Sequence, residues 1–75
     1  MDELNQVLAV AIPVAIRMSE EYYGPRGGEQ KKIAAVIEVR RIISQQISDK
    51  AAKNLDLELI GAMIDAEFER RKRNV

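Results

Sequence analysis

A chain of 75 residues has room for one domain, and its 12 basic and 12 acidic side chains balance to a formal net charge of zero. It has no Cys and no His, which excludes disulfides, thiolate and imidazole metal sites, and every catalytic arrangement built on those residues. A core this small is marginal without reinforcement, and oligomerisation is the staple that remains.

The first predicted element is a helix over residues 2–23. Leu4, Leu8, Ala11, Ala15, Met18 and Tyr22 recur at alternating spacings of four and three, with Val7 and Val14 widening the stripe. Asp2 is the expected N-cap. Val10, Ile12 and Ile16 make the opposite face apolar too, more than one neighbouring helix needs, so this helix is expected to be central or shared with another chain. Pro13 removes a backbone donor and crowds the carbonyl of Ala9, which predicts a kink or a break. The longest uncharged stretch, residues 4–16, would span only about 20 Å as a helix, short of the roughly 30 Å of a bilayer core, so no membrane crossing is expected. An acidic pair after Met1 stands where a secretory signal would be basic.

Gly24-Pro25-Arg26-Gly27-Gly28 is the clear loop. Gly24 supplies the left-handed residue that ends the first helix, Pro25 enforces the stop, and the two later glycines allow re-entry. The second helix is predicted over residues 29–47. Ile33, Val36, Ile37, Ile43, Ser44 and Ile47 form one face, and Ala35, Val39 and Ile42 a second. Arg40 falls inside the first stripe, where its stem covers apolar surface while its head reaches solvent or a carboxylate. The spacing is helical although the segment is rich in β-branched residues.

Residues 48–54 read as a polar connection able to hold a short helical turn. Asp56 is the predicted N-cap of the third helix, with Glu58 in its first turn. Leu59, Ile60, Met63, Ile64 and Phe68 form its apolar face, and Arg70, Arg71, Lys72 and Arg73 close it where cations suit the negative helix end. The expected fold is therefore a single all-α domain over residues 1–75. It is a bundle of three helices, four if the connection forms its turn. Residues 1–22 carry four carboxylates against Arg17 alone, and residues 23–47 five cations against Glu29 and Glu38, which suits antiparallel neighbours.

Chemistry is sparse. Ser19, Ser44 and Ser48 have no histidine to activate them, and the Asp65 and Glu69 carboxylates read as a solvated helix face rather than a metal site. No enzyme, cofactor or small-molecule substrate is expected. Gly24-Pro25-Arg26-Gly27 has the bare GxxG of nucleic-acid-clamping loops, with Lys31 and Lys32 at the following helix start, but the sheet such domains need has no strands here. Arg26, Lys31, Lys32, Arg70, Arg71, Lys72 and Arg73 are the candidate anion contacts, for nucleic acid or for anionic lipid at a membrane periphery. A nucleic-acid regulator would add Arg40 and Arg41 to this set.

Ala15-Ile16-Arg17-Met18-Ser19-Glu20-Glu21, then a glycine turn, Gly28-Glu29-Gln30-Lys31-Lys32-Ile33-Ala34, a polar linker, and Leu57-Glu58-Leu59-Ile60-Gly61-Ala62-Met63-Ile64-Asp65-Ala66 follow in that order. This order resembles the cytoplasmic part of the LL-H family of phage holins. The membrane-spanning segment that precedes that part in the family has no counterpart in the sequence. What the resemblance implies is a cytoplasmic oligomerisation or regulatory module, either free-standing or a fragment, placed in the host cell if phage-encoded. The expected role is protein–protein association, with itself first. Val10, Ile12 and Ile16, and Ala35, Val39 and Ile42, are the candidate interface. The alternative is the nucleic-acid regulator.

Overall fold

The structure, a computed structural model, describes residues 3–24 and 28–73, the last of these by its backbone alone. The expected N-cap at Asp2, the stop at Pro25, the contact at Arg26, the glycine at Gly27 and the side chain of Arg73 lie outside the described residues. Four helices follow one another: α1 (Glu3–Tyr23), α2 (Gly28–Gln46), the single turn and a half of α3 (Asp49–Lys53), and α4 (Leu57–Arg73). A helix of 21 residues is about 32 Å long, and the longest dimension of the molecule is 34 Å. Thus α1 sets the length of the bundle.

The boundaries have local causes. At the end of α1, Gly24 adopts a φ of +70°, and its amide donates to the Glu20 carbonyl at 2.8 Å. That left-handed residue is one only glycine takes without cost. The α3 turn begins at Ser48, whose backbone is extended and whose Oγ accepts from the Ala51 amide at 3.0 Å. The α4 helix begins at Asp56, whose Oδ1 accepts from the amides of Glu58 and Leu59 at 3.1 and 3.3 Å. Pro13 sits inside α1, yet the helix continues through it. The break allowed for at that position does not occur, because packing on both flanks holds the chain helical despite the missing donor.

The short α1–α2 connection makes those two helices antiparallel. Lys31, near the start of α2, stands over Phe68 in the second half of α4, and Ile37 further along α2 shares a groove with Leu57 at the start of α4, so α4 runs antiparallel to α2 and alongside α1. The core lies where the three long helices meet: Leu8, Ile12, Ala15 and Ile16 from α1, Ala35, Val39 and Ile43 from α2, and Ile60 and Ile64 from α4. Ala52 of α3 closes one end. Among the described residues no helix is long and apolar enough to cross a membrane.

This core corrects the expected stripes. On α1 the buried line continues through Ser19 rather than Met18 and Tyr22, which are exposed. Ser19 is small, and its hydroxyl donates to the Ile16 carbonyl at 3.0 Å, so it is buried with its polar atom satisfied. Ile12 and Ile16, expected at an interface, are core residues because α1 is flanked by both α2 and α4. On α2 the inward line takes residues from both expected faces, with Ile43 of the first buried as expected. Ala35 and Val39, also expected at an interface, are fully buried, while Ile33 and Ile37 face outward. Ile42 is half-buried and Val10 exposed. On α4, Leu59 is exposed rather than part of the apolar face.

Candidate functional site

With Ala35, Val39 and Ile43 turned inward, the neighbouring line of α2 becomes the outer wall of a groove. Ile33, Val36 and Ile37 form that wall, and Leu57 and Ala62 of α4 stand across from it with Gly61 at the floor. The groove is open, about 440 Å³ in volume. Ile33, Ile37 and Leu57 remain 51%, 60% and 47% exposed, an unusual state for three large aliphatic side chains beside one another. Glu29, Lys32, Glu58 and Asp65 rim the groove.

Lys32 straps one end of it. Its stem crosses Gly61, passing 3.5 Å from where a Cβ would stand, and its Nζ donates to Asp65 Oδ2 at 2.9 Å. The hydrogen bond to Asp65 raises the Lys32 pKa above its ordinary value, with the nearby charges of Asp65 and Glu29 adding to the effect. Lys32 is thus a tether between α2 and α4 rather than a free cation.

The other basic candidates are placed similarly. Lys31 lies on the same helical line as Ala35, Val39 and Ile43, which explains why its side chain is only 12% exposed. Its Nζ donates to the carbonyl of Gly24 at 3.1 Å, lies 4.0 Å from Glu20 and stands 5.1 Å above the Phe68 ring. Arg71 donates to Glu20 and Glu67, and Arg70 to Glu67. Arg41 is held by Glu38, and Lys72 lies 3.9 Å from Glu69. The loss of a proton from Glu67 is favoured first by the Arg70 hydrogen bond and then by Arg71, so its pKa lies below the ordinary glutamate value. Arg40 is exposed and takes no part in any ion pair among the described residues.

The cations anticipated as anion contacts are therefore brought together in part, at the end of the bundle where Lys31, Arg71 and Lys72 share one recess, but they share it with carboxylates. That charged recess is lined by Glu20, Lys31, Asp65, Phe68, Glu69, Arg71 and Lys72. Among the described residues no group of three acidic side chains could hold a metal ion. The residues that sequence reasoning missed as surface are Ile33, Ile37 and Leu57. For Ile33 and Ile37 the available signal was that their stripe on α2 carries a charge at each end, Glu29 and Arg40; for Leu57 on α4 the sequence held no such signal. No family model, curated protein or solved structure matches the chain.

Proposed function

We propose that the protein is a non-catalytic helical association module whose first partner is another copy of itself. The observation that carries this reading is the outward-facing trio Ile33, Ile37 and Leu57 around an open groove, beside a core that the inward-facing aliphatic residues already fill. Covering each of these half-exposed side chains would contribute about 1 kcal/mol, since full burial of such a residue is worth about 1.5–3 kcal/mol. A small domain with neither disulfide nor metal gains most from that kind of contact. A module of this sort accords with the resemblance to the cytoplasmic part of LL-H phage holins, and with action in the host cytoplasm.

The pairing of Lys31, Lys32, Arg41, Arg70 and Arg71 with carboxylates of the same chain speaks against a nucleic-acid role. Each such cation would have to give up an internal partner to neutralise a phosphate. Light scattering on the eluting peak, over a wide range of concentration, tests the proposal. A mass rising from 8.5 kDa to twice that value is expected. A monomer at every concentration, up to millimolar, would overturn it.

A further inference from the structure

We infer that two copies pair through α2, antiparallel and across a two-fold axis, with Glu29 of each copy facing Arg40 of the other. This rests on the self-association reading above and supplies its geometry. The groove by itself is apolar and would accept many occupants. What selects a second copy is the order of residues along its α2 wall. Glu29, Ile33, Val36 and Arg40 follow one face of the helix at spacings of four, three and four, with Ile37 beside Val36. The acid stands at the first end, the aliphatic residues in the middle and the base at the far end, about 16 Å away.

Reversing such a line makes it complementary to itself. In an antiparallel pair centred between residues 34 and 35, Ile33 faces Val36 and its neighbour Ile37 of the other helix. Glu29 then lies opposite Arg40 and Arg41, and two-fold symmetry makes the charge contact twice. A parallel pair would set glutamate against glutamate and arginine against arginine. Both residues are available for this role. Glu29 and Arg40 are exposed, and neither joins an ion pair among the described residues. Arg41, by contrast, is already bound to Glu38. The opposite wall suits the second helix as well, since Ala62 is exposed and small and stands beside the apolar Leu57.

Charge reversal gives a test with a distinctive pattern, read by sedimentation equilibrium at low salt. Glu29→Arg alone, or Arg40→Glu alone, should weaken dimerisation by about tenfold or more, because each creates two like-charge contacts. Mixing the two variants in equal amounts should restore association to near the wild-type level, since each then supplies what the other lost. The doubly reversed chain should also dimerise like the wild type. Ile37→Glu should remove the dimer and leave the helical circular dichroism unchanged, because Ile37 is not part of the core.

A dimer insensitive to every one of these changes would overturn the inference and leave self-association standing on another face, such as Val10, Met18 and Tyr22 of α1. A dimer lost in Ile37→Glu but indifferent to charge would overturn the register. A wild-type chain that stays monomeric would overturn both the inference and the reading it rests on.

Discussion

Arg71, near the end of α4, donates to the Glu20 carboxylate of α1 at 3.2 Å, across 51 positions of sequence. The same guanidinium lies 3.4 Å from the Pro13 carbonyl and 3.3 Å from Glu67. One side chain thus ties the last turns of α4 to two separate turns of α1. Partial exposure limits its worth, since both Arg71 and Glu20 keep more than a third of their side-chain surface in water. Arg71→Met is expected to cost about 1–2 kcal/mol by chemical denaturation, because it removes the hydrogen bonds to Glu20, Pro13 and Glu67 together. In a double-mutant cycle with Glu20→Gln the pair itself should account for about 0.5–1 kcal/mol. Additive effects of the two substitutions would show that the contact is not energetically real.

Glu67 predicts how the bundle responds to acid. Its side chain is largely covered, and Arg70 and Arg71 hold its pKa below the ordinary value near 4.5. A carboxyl whose folded pKa is depressed contributes stability above its unfolded pKa and loses that contribution as pH falls through the folded value. Wild-type stability should therefore be level above about pH 5 and fall below about pH 4.5 as Glu67 becomes protonated. Glu67→Gln should start lower at neutral pH and show a shallower acid limb. Equal slopes for the two proteins on that limb would assign the acid loss to other carboxylates.

Much of this architecture was legible in the residues. Gly24 as the stop of α1, Asp56 as the N-cap of α4 and a turn within 48–54 each follow from local chemistry, which acts over a turn or so of chain and does not depend on the rest of the fold. The rotation of each helix about its own axis was less legible. Ile33 and Ile37 look like core by hydropathy, and Ala35 and Val39 look like the weaker face. What decides between them is which line faces the other two long helices, and that line is Ala35, Val39 and Ile43, buried in the core shared with α1 and α4. Ser19 escaped as well: burial follows from its size and its bond to Ile16, neither of which shows in a hydropathy pattern. The pairs three or four residues apart, such as Glu67–Arg71, follow from helix spacing, but Lys32–Asp65 and Arg71–Glu20 needed the tertiary structure because they join residues far apart in the chain.

Gly61 offers a substitution that should stabilise. It is buried within α4, but a Cβ there would meet only the Lys32 stem, at 3.5 Å for Cε, which is ordinary contact. No positive φ requires glycine at this position. Gly61→Ala should raise stability by about 0.5–1 kcal/mol through the lower backbone entropy of the unfolded chain. Gly61→Leu should instead displace the Lys32 strap from Asp65 and weaken the α2–α4 contact. A loss of stability in the alanine variant would mean that the helices are closer at this point than the Lys32 contact indicates.

Asp56 caps α4 with two hydrogen bonds to one carboxylate oxygen. Asp56→Ala leaves the Glu58 and Leu59 amides to water and should cost about 1 kcal/mol. Asp56→Asn keeps an acceptor and should be close to neutral apart from the lost charge at the positive helix end. Thermal denaturation of the two variants side by side separates the hydrogen bond from the charge. Equal losses in both would point to charge alone.

Lys31 tests whether a lysine beside the glycine turn is there for a ligand or for the fold. Its ammonium occupies the carboxyl end of α1, donating to Gly24, and stands over the Phe68 ring with Glu20 nearby. Lys31→Met keeps the apolar stem and removes the charge. It should cost about 1–1.5 kcal/mol, combining the loss of a bond to a helix-terminal carbonyl with the loss of a cation–π interaction. Lys50→Met, at an exposed position on α3, should stay within about 0.5 kcal/mol of the wild type. Denaturant titration at a concentration where the protein is monomeric compares them directly. If Lys31→Met were as mild as Lys50→Met, the cation would be dispensable to the fold. Its place between the glycine turn and the Arg71 recess would then favour an anion contact, for which salt-dependent binding to nucleic acid is the next measurement.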